Sequence, residues 1–261
     1  MTRAKLQINN VAVRFPLGRD TITALTGLSF TIAPGEFCAV VGPSGCGKST
    51  LLRLIAGLAQ PAEGTVHIDS DGSGKPLQAM VFQGNSVFPW MTALQNAAYG
   101  LEMRGVSQPD REAIAERLLV QVGLGDFMNA YPSQLSEGMR QRVAIARAFA
   151  VDPEVLLMDE PFGALDEQTR IILQDELLKI WEATGKTVVF VTHSIDEAMI
   201  VADRILVLSA RPGTVKADIR VPFPRPRSVE AVRSNTEFNQ LFLHIWSLLR
   251  NDAASAVRAA R

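Results

Sequence analysis

"FCAVVGPSGCGKSTLLRLIAGL", residues 37–58, decides how this chain is read. The first five residues are a short apolar run suited to a buried strand. A glycine-rich loop follows, and then a helix-forming stretch. The loop, "GPSGCGKST" at 42–50, matches G-x-x-x-x-G-K-[ST] in the strand-to-helix context that the pattern requires. Gly42, Gly45 and Gly47 let the backbone curl so that its N–H groups converge on phosphate oxygens. Lys48 brings positive charge to the β- and γ-phosphates, and the Ser49 hydroxyl is a ligand for Mg²⁺. With Pro43, Ser44, Cys46 and Thr50, these residues form an expected nucleotide-phosphate loop in which Lys48, by its charge on the phosphates, is a candidate catalytic residue.

The pattern around the loop is that of an α/β protein. Leu6, Ile8, Val11, Val13 and Phe15 alternate, with a slip at Asn9–Asn10, and Leu28, Phe30 and Ile32 alternate again. Period two predicts half-buried strands. "APGE" (33–36) reads as a turn. "VLLM" (155–158), "TVVFV" (187–191) and "RILVLS" (204–209) predict further buried strands, with helices between them such as 167–185. That alternation predicts a largely parallel sheet covered on both faces. Residues 84–150 read as mostly helical, with Ile114, Leu118, Leu119 and Val122 on one face, inserted between two strands of the core. The expected organisation is one domain: a core over about 6–83 and 151–210, a helical subdomain over about 84–150, and a tail over 211–261. The tail holds three X-Pro steps in "VPFPRPR" and then a helix striped with Phe238, Leu241, Phe242, Ile245, Leu248 and Leu249, expected to pack on the core.

Composition limits the partners. Twenty-six Lys and Arg against 27 Asp and Glu give a net charge of −1, without the basic excess of a nucleic-acid binder. The two cysteines, Cys38 and Cys46, form no zinc or disulfide framework, so a reducing compartment is expected. No apolar run of 18 residues and no signal-peptide core occurs, so the expectation is a soluble, cytoplasmic chain, which leaves docking on a membrane protein open.

Three more strand ends carry chemistry. "VLLMDEP" places Asp159 and Glu160 at the end of a buried strand, Asp159 to hold Mg²⁺ and Glu160 to take a proton from the attacking water. "VFVTHS" puts His193 just beyond another strand, within expected reach of a γ-phosphate. Gln83, after the apolar "MVF", is a candidate ligand for Mg²⁺ or water. Ligands of open parallel sheets bind at the carboxyl ends of the strands, where all of these residues fall.

At this point the chain resembles an ATP-binding cassette subunit of an ABC transporter. The motifs occur in the family's order: "GPSGCGKST" as Walker A, "VFQ" as the Q-loop, "LSEGMRQ" as the signature, "VLLMDEP" as Walker B, "GALD" as the D-loop and "VTHS" as the His switch. The resemblance covers about residues 6–210. It implies a P-loop NTPase core with a mixed, mostly parallel sheet, N-terminal antiparallel strands and an inserted helical subdomain. It also implies that Phe15 stacks on adenine and that two cassettes, as a homodimer, pair head to tail. Ser136 and Gly138 would then contact the γ-phosphate across the interface, and Asp166 would help join the halves. Glu160 would be the general base, His193 the γ-phosphate sensor, and Gln83 the link from nucleotide to membrane subunit.

A narrower resemblance concerns the transported solute. "VFQGNSVFPWMTALQN" and "SARPGTVKADIRVPFPRPR" are similar to the importers of the nitrate, sulfonate and taurine group. This implies that Phe88, Pro89, Trp90 and Met91 lie near the groove that receives a permease helix, that an external solute-binding protein acts indirectly, and that the chain sits on the cytoplasmic side of the inner membrane. A cassette for phospholipid or another solute is the alternative. A chromosome-type ATPase of the same superfamily would need hundreds of coiled-coil residues where only 87 separate Lys48 from Ser136. A translation-type ATPase would carry two cassettes and a repair type zinc cysteines. A GTPase would need an Asn-Lys-x-Asp guanine reader, which is missing. A binding module without turnover would not need Lys48, Asp159, Glu160 and His193 together.

Glu137 departs from the usual L-S-G-G-Q signature. At about 4 Å from a phosphate, with an effective dielectric of ~20, it would repel each unit charge by about 4 kcal/mol. A helix N-terminus returns only about 0.3–1 kcal/mol for holding an acid. The carboxylate is therefore expected to point away from the nucleotide, as a first-turn helix stabiliser or a partner of Arg140 or Arg142.

Overall fold

The computed structural model describes residues 4–259 apart from 19, 85 and 164, with side chains to residue 250. It divides into two compact units, Met1–Asp71 with Lys186–Arg261, and Gly72–Gly185.

The first unit contains the N-terminal antiparallel strands. β1 (Leu6–Leu17) pairs antiparallel with both β2 (Asp20–Ile32) and β4 (Glu63–Ile68). The slip at Asn9–Asn10 is a bulge: Asn10 has φ 47°, and the β1–β2 register shifts between Ile8 and Val11. Gly64 lies against it, where a Cβ would come within 2.3 Å of the Asn9 and Asn10 carbonyl oxygens.

β3 (Phe37–Val41) is buried along its whole length, as an apolar run between two parallel neighbours should be. It pairs in parallel with β7 (Thr187–Thr192) and β8 (Arg204–Leu208), and β8 pairs antiparallel with β9 (Val215–Arg220). Phe37 and Phe190 meet inside, ring centroids 5.8 Å apart. α1 (Lys48–Ile55) follows β3, and α6 (Ile195–Val201) follows β7. The tail is fastened by Arg225, whose guanidinium pairs with Asp203 at 2.9 Å, and by buried Arg227, which donates to Ala202 O and Phe223 O. It continues as α7 (Val229–Arg233) and α8 (Phe238–Ala259). Of the expected stripe on α8, only Phe238 and Ile245 are buried; Leu241, Phe242, Leu248 and Leu249 are half-buried.

The second unit holds β5 (Gln78–Val81) and β6 (Val155–Asp159), paired in parallel, with the helices between them in sequence. α2 (Ala93–Met103) opens on a capping box made by Thr92 and Gln95. α3 (Gln108–Gln121) carries a proline in its first turn, and α4 (Glu137–Ala150) is capped by Ser136. α5 (Glu167–Thr184) starts at the Asp166 cap and ends on Gly185, whose φ of 59° suits a C-terminal glycine. Among the core pairs, β3–β7, β3–β8 and β5–β6 are parallel against antiparallel β8–β9, while β1–β2 and β1–β4 form a separate antiparallel sheet; this is the mixed, mostly parallel core with antiparallel N-terminal strands that the family resemblance implies.

Candidate functional site

Two sets of candidate residues take shape, one in each unit. In the first, Val41 and Thr192 are register partners of the parallel pair β3–β7. The loop starting at Gly42 and the residue His193 therefore leave adjacent strands at the same end. His193 is exposed there, and Phe15 is 45% exposed near the end of β1.

The loop conformation depends on its glycines. Gly47 caps α1 at φ 105°, and a Cβ there would meet Leu25 Cδ2 at 2.5 Å. Gly42 faces Cys46, whose sulfur would lie 2.7 Å from an added Cβ. Lys48 folds back over the loop, its Nζ donating to Gly42 O at 2.8 Å and Pro43 O at 3.1 Å. An ammonium carries three N–H donors, so one is left for a ligand after these two bonds. The first turn of α1 has no side-chain cap and no acid, so the positive end of its dipole favours an anion there. Burial pushes the Cys46 thiol up, with Lys48 opposing.

Gly213 braces this loop from behind. A Cβ on it would come within 2.2 Å of Cys46 O, and its N–H bonds Ala24 O at 2.9 Å. The "RPG" segment is thus part of the phosphate loop's support, a role its sequence position after β8 did not signal.

In the second unit, Val81 and Met158 are register partners of β5–β6. Gln83 and Glu160 each lie two residues beyond, and Gln83 Nε2 donates to Glu160 Oε2 at 3.1 Å. Asp159 is buried at the end of β6. Glu160 has φ 45°, an uncommon conformation for a non-glycine residue that costs about 1–2 kcal/mol. Its carbonyl accepts the Gly163 N–H at 3.1 Å, which holds the turn.

Ser136 caps α4 by accepting the Met139 N–H at 3.2 Å, a bond that uses an oxygen lone pair and not the hydroxyl proton. Gly138 is buried; a Cβ there would lie 3.1 Å from Leu165 Cδ2 and 3.2 Å from Thr169 Cγ2. Asp166 accepts the Thr169 N–H at 3.0 Å, and its bonds with Thr169 hold the carboxyl below the usual range. Ala164 of the D-loop lies outside the described residues. Glu137 is exposed in the first turn of α4 and forms no ion pair among the described residues, so of the two expected roles it has the first-turn position and not the pairing with Arg140 or Arg142. Those arginines are used elsewhere: Arg140 on Pro132 O and Leu135 O, Arg142 on Val122 O and, at 3.8 Å, Glu176.

Phe88, Pro89, Trp90 and Met91 sit on a platform that sequence reading did not reveal. Buried Asn96 accepts the Phe88 N–H and donates to Phe88 O, Met91 O and Thr92 O. The Arg147 guanidinium lies 5.2 Å from the Phe88 ring centroid and donates to Ser86 O. The Tyr99 ring packs edge-on against Phe88 at 4.7 Å. Trp90 stands on this base 69% exposed, so it is not a core residue.

Mg²⁺ takes hard oxygen ligands, and each unit carries candidates of that kind. Ser49, Gln83 and Asp159 offer hard oxygens, and no cluster of three His, Cys, Asp or Glu capable of caging a metal occurs among the described residues.

Comparison with known proteins gives the following. The ABC transporter family profile matches residues 25–163. An uncharacterized ABC transporter ATP-binding protein of Methanocaldococcus jannaschii is 46% identical over 98% of this chain and 95% of its own. A nitrate import ATP-binding protein of Synechocystis is 44% identical over 94% of this chain and 95% of its own. A dimeric ATP-binding cassette solved in a post-hydrolysis state with ADP and Pi superposes at a TM-score of 0.74, with 35% identity over 84% of this chain and 100% of that one.

Proposed function

This chain belongs to the ABC transporter family as an ATP-hydrolysing cassette that powers an importer, and we propose that its cargo is nitrate, a sulfonate, taurine or a similar small solute. The cargo reading rests on the nitrate-import relative and on the "FPW" and "RPG" segments. Transport assays of the reconstituted importer with each solute test it. Uptake of none of them, beside intact ATPase activity, would refute it.

The observation that carries the mechanism is the Val41–Thr192 register, which sends the phosphate loop and His193 out of adjacent strands side by side. In this proposal the α1 N–H groups and Lys48 hold the ATP phosphates, and Phe15 stacks on adenine. His193 reads the γ-phosphate. Glu160 takes the proton of the attacking water, and the hydrogen bond it accepts from the Gln83 amide orients the carboxylate. Mg²⁺, held through Ser49, Asp159 and Gln83, would neutralise charge on the phosphates. A second copy supplies the other half of the site: the Ser136 hydroxyl proton and the Gly138 N–H donate to the γ-phosphate of the facing cassette, with Asp166 at the seam.

Among the described residues, no helix is long and apolar enough to cross a membrane. The chain would act at the cytoplasmic face, docking on permease subunits through Phe88–Met91 and reaching the external solute-binding protein only through them. The test is co-purification: an ATP-stimulated complex with a membrane permease is expected, and an ATPase that never associates with one would contradict it.

A further inference from the structure

We propose that Glu197, acting through Thr192, is a positioning residue that fixes His193. The proposal rests on the reading of His193 as the group that faces the γ-phosphate.

Ser194 and Glu197 have the spacing of a capping box at the start of α6, in which the Glu carboxylate would accept the Ser N–H directly. The structure has a relayed version. The Ser194 N–H donates to Thr192 Oγ1 at 3.0 Å. The Thr192 hydroxyl donates in turn to Glu197 Oε2 at 2.5 Å. The Glu197 N–H returns to Ser194 Oγ at 3.3 Å, closing the ring. Thr192 is 1% exposed and Glu197 5%.

The ring has a fixed sense. A hydroxyl carries one proton. Thr192 Oγ1 accepts the Ser194 N–H on a lone pair and directs its own proton at Glu197 Oε2, so the carboxyl oxygen is the acceptor in the ring. A carboxyl group is rarely buried without such partners. The ring spans one residue that it does not contain, His193. It ties the chain immediately before the imidazole, at the last residue of β7, to the chain immediately after it, at the cap of α6. The imidazole itself stays exposed. A group that must meet a phosphate in one orientation benefits from a backbone that cannot swing, since small misplacements of a catalytic group are costly.

The test uses ATPase kinetics of the assembled transporter. Thr192→Val and Glu197→Ala should lower kcat about tenfold or more, with KM for ATP within about twofold of wild type. Glu197→Gln, which keeps an acceptor oxygen, should restore most of that loss. In a His193→Ala background, Glu197→Ala should add no further loss. The chain has three histidines, so imidazole NMR of the isolated cassette gives a second readout. ATP should shift the His193 resonance in wild type, and Thr192→Val should broaden or move it. If Glu197→Ala does not fold, Thr192→Val and Glu197→Gln decide. Wild-type kcat in Thr192→Val beside a crippled His193→Ala, or losses that multiply in the double variant, would overturn the positioning role alone. Wild-type turnover in His193→Ala would overturn the reading of His193 and this proposal with it.

Discussion

Gln83 Nε2 donates to Glu160 Oε2 at 3.1 Å, joining residues 77 positions apart in the chain. The bond is exposed, so its net contribution to stability is at the low end of about 0.5–1.5 kcal/mol. Its value is orientation, because Glu160 already holds an uncommon φ of 45°. Gln83→Ala should leave the urea midpoint nearly unchanged and lower kcat about tenfold, or about 1.4 kcal/mol of barrier. Unchanged kcat in that variant would show that the amide does not orient the base.

The signature loop gives two contrasting substitutions. Glu137 is exposed and unpaired among the described residues, so Glu137→Gly should change ATP turnover by less than about fivefold, roughly 1 kcal/mol. Gly138→Asp should abolish turnover, because it sets a carboxylate beside the N–H proposed to meet the γ-phosphate, in a spot where a Cβ already lies 3.1 and 3.2 Å from the Leu165 and Thr169 side chains. Steady-state ATPase of both variants in the assembled transporter checks this. A hundredfold gain in Glu137→Gly would mean that the acid faces the phosphate.

The Phe88–Met91 platform separates docking from folding. Trp90 is 69% exposed, so Trp90→Ala should keep ATP affinity and melting temperature while weakening assembly with the permease. Asn96→Ala removes the amide that ties the 88–92 turn together and takes the side-chain partner from the part-buried Phe88 N–H and Met91 O. It should cost about 1–3 kcal/mol in urea unfolding. A Trp90→Ala chain that unfolds, or an Asn96→Ala chain as stable as wild type, would contradict this division.

Burial pushes the Cys38 thiol well up, with Arg204 opposing. The sign of the effect follows from proton binding. The folded chain keeps this proton to higher pH than the unfolded chain, so stability falls as pH rises through and above the ordinary thiol value of 9.0. The urea midpoint should drop across that range, and more gently in Cys38→Ala. Equal slopes in the two proteins would contradict the assignment. Alkylation at pH 8 should leave Cys38 unmodified until the chain is unfolded.

Much of this was legible because burial leaves a simple mark on sequence. "FCAVV" is β3 residue for residue, and the Asn9–Asn10 slip is a bulge with Asn10 at φ 47°. β4 passed unread because it is largely exposed, and β9 because its residues alternate only between half-buried and exposed, so neither is apolar enough to stand out. The motif residues were readable by type and spacing, whereas their supports were not. Gly213 behind Cys46, Asn96 under Phe88 and the Thr192–Glu197 relay are made by chain geometry and hydrogen-bond direction. Nothing in residue type alone announces them.

The central claim is that this cassette hydrolyses ATP with Glu160 as its base and works as a dimer. Glu160→Gln tests it most directly, measured for nucleotide binding, phosphate release and size on a sizing column with and without ATP. The amide can still accept a hydrogen bond but cannot take the water's proton. ATP affinity should stay within about threefold of wild type, hydrolysis should fall by about 10²–10⁴, and ATP should shift the variant from monomer to dimer. Wild-type phosphate release by the Gln variant would contradict the account.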